Sequence, residues 1–502
     1  MGKKNVLVYL ILTIILSLGL WLRLKGIVTN HSFWSDEAFV SSFSRDIVTG
    51  KTSWIKGASM VGYQPLQIIV TAFSFIFFSI SEFSARLPMV LFGVLGILFA
   101  FLVAHKLSNW SGGLLAAFLM TFSQLNLAHA TQAKPYVVLQ TLLLIQIYLL
   151  IKFINSKKTL TLFMLFFTTC VAFFFHSLAV LFWVPLGITL IVTFFHNIKE
   201  LIRKSLIMFC ILLFAVLIMY FFGVFKELFL LFKPYNGHFL FVYNNTMYLK
   251  NIFFRQYGIL LIPAVLSFLL IDKKYRRLAA GLSSYVVALI FLWNFRSYSH
   301  NIRYLMTFFG LIFVFFGIFW GKIGEKANEK FRIKSFQLLP LLIIVLIYFS
   351  GYKIVRMPQT YYSPNLGLYG DVQNADYKTM FTWIEKKYGN DLDKIAIFND
   401  LIDTERFYLE RSSNAYFIKG TIKPRIHPIN NIIIYGTLSD FLKQKARYKS
   451  GILIIEDWES FLPEDIKQYA KKNLRLEYRV EKMAVGEERD VWPLEVRSWG
   501  ME

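Results

Sequence analysis

Long apolar runs alternate with short polar segments through the first 350 residues. A run of about 20 apolar residues crosses a bilayer as a helix, and shorter runs reach that length by extending into their flanks. The pattern predicts spans over residues 6–22, 87–104, 112–128, 136–154, 160–175, 178–195, 205–222, 258–271, 279–295, 304–320 and 336–350. The chain is therefore predicted to be a polytopic α-helical membrane protein with about eleven spans.

One further apolar run, residues 64–80, decides the topology of everything after it. Its Gln64-Pro65 start and Gln67 suit an interfacial helix that stays at the membrane surface. In that case the basic loops share the cytoplasmic side with Lys3 and Lys4, as the positive-inside rule requires. Those loops are residues 105–106, 152–158, 196–204, 272–277 and 321–334. We therefore expect a multi-pass protein of the plasma (inner) membrane with a cytoplasmic N-terminus.

The composition changes near residue 351, which divides the chain into a transmembrane domain, 1–350, and a C-terminal domain, 351–502. Strand-type apolar runs cover residues 394–398, 432–435 and 451–455, and helical stretches such as 376–388 and 464–472 alternate with them. That rhythm predicts a small α/β domain with a largely parallel sheet. The count of spans places this domain outside the membrane on the external side.

Composition supports a membrane protein and argues against a nucleic-acid-binding one. The 502 residues are 56% hydrophobic and include 52 Phe. The net charge of +23 lies largely in short loops between apolar runs, where basic residues determine topology. Cys170 and Cys210 both lie inside apolar runs, so no disulfide framework is implied.

Polar side chains collect in the loops on the predicted external side, and the adjacent acids Asp36 and Glu37 stand out among them. Ionisable groups at membrane depth are costly and tend to face a cavity. A basic set around one acidic pair suits a substrate that has an anionic group and a reacting hydroxyl or amine, such as a lipid-linked sugar phosphate. The candidates are Asp36, Glu37, Tyr63, Gln64, Glu82, Arg86, His129, Gln132, Lys134, Tyr136, His176, Arg296, His300 and Arg303.

Each candidate also has a purely structural interpretation. Asp36 and Glu37 could be first-turn acids of a surface helix with Ser35 as its N-cap. Lys134 and Arg303 could extend to lipid head groups. Glu82 and Arg86, four residues apart, could form a simple helix pair, which is the favoured interpretation for Glu82. The tyrosines fit an aromatic belt, and the histidines at span ends fit interfacial hydrogen bonding.

Several short segments occur in the order of a known family. FWSDEA at residues 33–38 resembles the acidic first-loop motif of membrane glycosyltransferases related to protein O-mannosyltransferases and lipid A aminoarabinose transferases. GYQPL at 62–66, SEFSARLP at 81–88 and TQAKPY at 131–136 resemble later segments of that family. Phe175-His176 and Arg303-Tyr304 resemble it more weakly. The likeness covers residues 1–200 well and 200–350 loosely.

This resemblance implies the C-type glycosyltransferase fold and a polyprenyl-phosphate sugar donor. Such a phosphate leaves readily when cations hold its charge, so the reaction needs only a base for the acceptor proton. We expect Asp36 to be that base, in an inverting displacement, and Glu37 to order the loop. Lys134, Arg303 and Arg86 are expected to hold the phosphate. The acceptor is a lipid, a glycan or a protein.

Relatives such as oligosaccharyltransferases carry a carboxylate in the second external loop, whereas residues 129–136 contain none. Hard divalent ions need several oxygen ligands, so we expect a reaction without a metal cofactor, with a divalent ion as the alternative.

Two other classes of function compete with a transferase. A transporter or lipid flippase would also have many spans and buried charge, but the halves show no internal symmetry. A binding scaffold anchored by its spans would need far fewer than eleven.

Overall fold

A computed structural model describes residues 3–29, 32–62, 64–194, parts of 199–222, 257–296, 302–350, 376–400, 402–427, 431–456, 460–480 and 494–501. The chain forms two compact units. One holds the apolar helices, and the other combines residues 32–45 with the C-terminal residues from 376 onward. A single division near residue 350 therefore does not describe the packing, because the residues around the acidic pair cluster with the C-terminal ones.

The first unit is helical. Its α-helices are Lys3–Thr29, Trp54–Ser59, Pro65–Phe78, Glu82–Leu107, Trp110–Phe122, Gln124–Ala130, Tyr136–Ser156, Thr159–Phe175, Trp183–Phe194, Gly258–Leu270, Arg276–Arg296, Met306–Phe331 and Leu339–Phe349. Short 3₁₀ turns precede four of them, at Ser177–Phe182, Lys273–Tyr275, Ile302–Leu305 and Lys334–Leu338. Within the described ranges, 6 helices are long and apolar enough to cross a membrane, and further apolar helices of 10–17 residues accompany them.

Most predicted spans that lie within the described ranges overlap an observed helix. The predicted span 205–222 falls largely outside the described residues. One predicted span, 112–128, is broken at Ser123, whose side chain accepts the N–H of Asn126 and starts a separate short helix. A serine with extended backbone ends one helix and caps the next, which an apolar run does not reveal.

Close backbone contact holds part of this bundle together. The helix that contains Gly112 packs on the helix that contains Gly317. A Cβ atom on Gly112 would lie 2.6 Å from the carbonyl oxygen of Gly317. Small residues at such crossings let helices approach closely, which matters where no hydrophobic effect drives association.

The helix Pro65–Phe78 presents an exposed apolar face. Phe73, Ile76 and Phe77 are 49%, 51% and 75% exposed, and their spacing puts them on one side. On the buried side, Gln67 donates a hydrogen bond to the carbonyl oxygen of Ala133 at 2.5 Å. The helix is therefore amphipathic, and its position at the membrane surface stays a prediction.

The second unit contains a seven-stranded sheet in the order β3-β4-β2-β1-β5-β7-β6. Its strands are β1 Ala396–Asn399, β2 Ala415–Phe417, β3 Arg425–Ile426, β4 Ile433–Tyr435, β5 Gly451–Glu456, β6 Arg475–Val480 and β7 Leu494–Trp499. The four central strands are parallel, while β3, β6 and β7 pair antiparallel. The predicted α/β domain is confirmed, with antiparallel edges in addition.

Helices cover both faces of this sheet, namely Tyr377–Tyr388, Ile402–Tyr408, Leu438–Lys445 and Glu464–Asn473, with a 3₁₀ turn at Gly389–Lys394. Alternate residues of a strand point to opposite faces. Ile452 and Ile454 accordingly pack in one core with Ile384, whereas Leu453 and Ile455 belong to the other. Central strands buried on both faces explain the continuous apolar runs in the sequence.

Candidate active site

The acidic pair lies at the start of the helix Ser35–Val48, which we call the acidic helix. The backbone carbonyl of Trp34 accepts the N–H groups of Glu37 and Ala38, both at 2.9 Å. Trp34, rather than Ser35, therefore occupies the N-cap position, and the alternative interpretation with Ser35 as N-cap is wrong. Ser35 is the first helical residue, and its hydroxyl is used elsewhere.

Glu37 stabilises this turn from within. It is fully buried, and its Oε2 accepts the backbone N–H of Trp34 at 3.2 Å. A glutamate at the third helical position that bonds back to the N-cap N–H is one half of a capping box. The geometry agrees with the loop-ordering role expected for Glu37.

Asp36 has a different environment, since it is exposed although its neighbour is buried. Consecutive helical residues point about 100° apart, so one carboxylate can hold the turn while the other faces outward. The fold thus places the two acids in different environments. Asp36 is the acid of the pair that is exposed to solvent.

The first unit contains a cluster of cations and aromatic rings around Tyr136, which we call the aromatic cluster. The Tyr136 ring lies 6.4 Å from His129, 5.5 Å from His176 and 5.6 Å from Tyr304. The Arg303 guanidinium lies 5.7 Å from the Tyr136 ring centroid and 5.3 Å from that of Tyr304. Cations packed on aromatic rings in this way are held in place while their N–H donors stay usable.

Lys134 belongs to the same neighbourhood, since the charges of Lys134 and Arg303 both act on His129. Lys134 and Gln132 are each 3% exposed. The Lys134 N–H donates to the Gln132 carbonyl at 2.8 Å. The second-loop residues and Arg303, far apart in sequence, are therefore brought together in one cationic cluster.

His176 has a structural function as well. Its Nδ1 accepts the backbone N–H of Leu178 at 3.0 Å, at the start of the turn Ser177–Phe182. An Nδ1 that accepts a hydrogen bond leaves the proton of the neutral ring on Nε2. His176 can therefore order its own loop and still present an N–H donor.

The remaining predicted residues are less informative. Gln64 is buried at the N-cap of the helix Pro65–Phe78, and Arg86 is fully buried near the start of Glu82–Leu107. Tyr63 lies outside the described residues. Roles for these three in substrate binding stay predictions.

Two residues with evident contacts are not among the candidate site residues predicted from the sequence. Tyr304 packs in the aromatic cluster, and its position next to Arg303 was the available signal. Asp403 accepts a hydrogen bond from Ser35 at 3.1 Å across 368 positions, for which the sequence has no signal. Among the residues that the structure describes, no group of three or more His, Cys, Asp and Glu side chains is arranged to hold a metal ion.

This architecture is the fold of the C-type membrane glycosyltransferases. ArnT from Cupriavidus metallidurans bound to undecaprenyl phosphate is 12% identical, with a TM-score of 0.63 over 99% of this chain and 98% of that one. The oligosaccharyltransferase of Archaeoglobus fulgidus in the apo form is 11% identical, with a TM-score of 0.57 over 98% and 76%. AglB from the same organism, in complex with an inhibitory peptide and a dolichol-phosphate, is 10% identical, with a TM-score of 0.54 over 90% and 70%.

The sequence points to the same group. Residues 65–222 match the model of the family described as dolichyl-phosphate-mannose-protein mannosyltransferase. No curated protein sequence matches the chain. The resemblance to the membrane glycosyltransferases related to protein O-mannosyltransferases and ArnT is confirmed, and the chain is an integral membrane protein with their fold.

Proposed function

We propose that this protein transfers a sugar from a polyprenyl-phosphate donor to an acceptor at the outer face of the membrane. The observation that carries the proposal is the difference between the two acids in the first turn of the acidic helix. Glu37 is buried and hydrogen-bonded, whereas Asp36 is exposed. The fold supports it, because the structural neighbours ArnT and AglB were solved with undecaprenyl phosphate and dolichol-phosphate.

In the proposed reaction Asp36 is the general base. The acceptor oxygen or nitrogen forms a bond to the anomeric carbon as the bond from that carbon to the phosphate oxygen breaks. The electron pair leaves with the phosphate, and the acceptor proton passes to Asp36. The attack occurs opposite the leaving group, so the anomeric centre inverts. A positioned base of this kind contributes about 10²–10⁴ in rate.

The cations of the first unit suit the donor phosphate. Lys134 and Arg303 are proposed to stabilise the charge that develops on the leaving phosphate, with Arg86 as a further cation. Tyr63, Gln64, Gln132, Tyr136 and His176 complete the proposed donor-binding set. The Nε2–H of a neutral His176 ring and the side-chain amide of Gln132 can donate hydrogen bonds to phosphate or sugar oxygens.

The proposal includes topology, cofactor and partners. The protein is placed in the plasma (inner) membrane with its N-terminus in the cytoplasm and its C-terminal sheet unit outside. Donors include hexosyl and pentosyl polyprenyl phosphates, and acceptors include lipids, glycans and proteins. The reaction is proposed to be metal-independent, because the second loop lacks the carboxylate that relatives carry.

The test uses purified protein in detergent with a panel of radiolabelled polyprenyl-phosphate hexoses and pentoses. The proposal predicts release of free polyprenyl phosphate and transfer of the sugar, unchanged by EDTA and strongly reduced in Asp36→Asn. A flippase would instead move labelled lipid across proteoliposomes and leave the sugar–phosphate bond intact. Intact donor lipid throughout the panel, together with lipid movement, would refute the transferase proposal. A rate lost on chelation and restored by a divalent ion would refute metal independence alone.

A further inference from the structure

The C-terminal sheet has the topology of a fold that binds ligands at one edge. In open α/β sheets, ligands bind outside the carboxyl ends of the parallel strands, where connections leave a central strand in opposite directions. Here the chain passes from β1 to β2 on one side of the sheet, and from β5 to β6 and β7 on the other side. The connections therefore diverge between the neighbouring strands β1 and β5. Glu456 ends β5 at that edge, and the helix Ile402–Tyr408, which we call the docking helix, follows β1.

Residues of the acidic turn are held at this edge. The Tyr377 hydroxyl donates to Glu456 Oε1 at 2.6 Å, and the Tyr377 backbone N–H donates to the Ser32 hydroxyl at 3.0 Å. Tyr377 thus joins the end of β5 to Ser32, three residues before the acidic helix. The edge that other α/β domains use for ligands is used here to hold part of the same chain.

The docking helix also contacts residues just before and within the acidic helix. The Tyr408 hydroxyl accepts the Phe33 N–H at 2.7 Å, and the rings of Phe33 and Phe407 meet edge to face at 4.7 Å. Arg45 donates to the carbonyl oxygens of Arg406 and Phe407, both at 2.9 Å. A cation at the carboxyl end of a helix also complements its dipole. Contacts on both sides of Asp36 therefore fix the turn that carries it.

Asp403 projects from the docking helix toward the acidic pair. The Ser35 hydroxyl donates to Asp403 Oδ2 at 3.1 Å, and the negative charge of Asp36 acts on Asp403. Arg406, on the same helix, is the positive charge that acts on it. Two carboxylates that interact in a partly desolvated setting cannot ionise independently, because each charge makes the other costlier.

We propose that Asp403 is a positioning residue that sets the basicity of Asp36 in the sugar transfer proposed above. When Asp403 is charged, its field stabilises the protonated form of Asp36 and makes Asp36 a stronger base. When Asp403 is neutral, that effect disappears. The C-terminal unit would then act on the reaction through the carboxyl group of Asp403. The second external loop, residues 129–136, has no carboxylate that could do so. This inference rests on the proposed role of Asp36.

The protonation of Asp403 is set near neutrality. The pKa of Asp403 is raised to about 7, first by burial and also by the Asp36 charge, while the Ser35 hydrogen bond and Arg406 act in the opposite direction. Because this pKa is raised, Asp403 is neutral below pH 7 and charged above it. Turnover is therefore expected to rise through pH 7, by about three- to tenfold for an interaction of one pK unit or more.

The first experiment compares pH–rate profiles of the full-length protein between pH 5.5 and 8.5, with a radiolabelled polyprenyl-phosphate sugar. Asp403→Asn keeps an acceptor for the Ser35 hydroxyl but cannot ionise, so it should lose the rise near pH 7 and keep donor affinity. Ser35→Ala removes a bond that favours charged Asp403, so its rise should move to higher pH. A rise that persists unchanged in Asp403→Asn would overturn the proposal.

Glu405 provides a matched control on the same helix. It is also buried, its pKa is raised to about 8 by burial, and it accepts hydrogen bonds from Asn399 and Ser413, at 2.7 and 2.8 Å. Glu405→Gln should keep the rise at pH 7, because the charge that acts on Glu405 is that of Arg411. Loss of the rise in both variants would overturn the assignment to Asp403.

A second readout is independent of activity. Infrared difference spectra should show a carboxyl band that titrates near pH 7 and is missing in Asp403→Asn. In Asp36→Asn the midpoint of this band should fall, because a negative neighbour has been removed. An unchanged midpoint would refute the coupling even in a protein that transfers no sugar. Absence of any transfer by the wild type, with the midpoint shift present, would refute the proposed function instead.

Discussion

Replacing Asp36 by Asn tests the proposed base with little disturbance of the fold. The substitution keeps the size of the side chain and removes only its ability to take a proton. The bond from the Trp34 N–H to Glu37 remains, so the start of the acidic helix should persist. Loss of one acid from the first turn of a helix costs about 0.3–1 kcal/mol in stability.

The expected loss of turnover is far larger than that loss of stability. A positioned general base contributes about 10²–10⁴ in rate, which corresponds to about 3–5 kcal/mol of transition-state stabilisation. Donor affinity should be nearly unchanged, because the proposed phosphate contacts come from the cations of the first unit.

Glu37 is the matched comparison. Glu37→Gln keeps an oxygen that can accept the Trp34 N–H, since glutamine serves in capping boxes as glutamate does. Its turnover should stay within about tenfold of the wild type, well above Asp36→Asn. Glu37→Ala leaves the Trp34 N–H without this acceptor and should cost about 1–3 kcal/mol in stability.

The assay measures single-turnover transfer at saturating donor for the three variants, donor affinity by equilibrium binding, and thermal unfolding in the same detergent. Near-normal turnover in Asp36→Asn would refute the reasoning and leave the acids as features of a helix start. Equal losses in Asp36→Asn and Glu37→Gln, at wild-type stability, would refute the assignment of different roles.

Three further predictions follow from the structure. Lys134→Ala should weaken donor binding by about 1–3 kcal/mol, measured by equilibrium binding, and unchanged affinity would remove Lys134 from the phosphate site. A topology reporter after residue 106 should read cytoplasmic and one after residue 360 external; a cytoplasmic signal at 360 would reverse the proposed orientation. Gly112→Ala should lower stability by about 1–3 kcal/mol, because the new methyl group meets the Gly317 carbonyl, whereas Gly187→Ala, with open space around it, serves as the neutral control in the same unfolding assay.

Much of the architecture was accessible from the sequence because the bilayer and the buried sheet both impose local patterns. Apolar runs had to become helices, since backbone groups in lipid must be bonded within their own segment. The apolar runs at 394–398, 432–435 and 451–455 became β1, β4 and β5 for the related reason that central strands are buried on both faces. The antiparallel strands β6 and β7 were not predicted from the sequence. In β6 the reason is that the strand is half-exposed and mixes Arg475, Glu477 and Arg479 with apolar residues.

The candidate residues divide in the same way. The acidic pair, Lys134 and Arg303 were identified from charge placed beside apolar spans, a pattern that is visible along the chain. Which of the two adjacent acids, Asp36 or Glu37, is buried could not be predicted from the sequence. It depends on the backbone of one helical turn and on the bond between Glu37 and Trp34.

The membrane class, the order of the helices and the presence of a C-terminal α/β unit could all be predicted from the amino-acid sequence, because hydrophobic periodicity is local and strong. The contact of Asp403 with Ser35, 368 positions away, and that of Arg303 with Tyr136 are visible only in the folded chain. Such contacts arise from the packing of whole helices and sheets, whose free energy is spread over many residues. No short stretch of sequence carries a record of them.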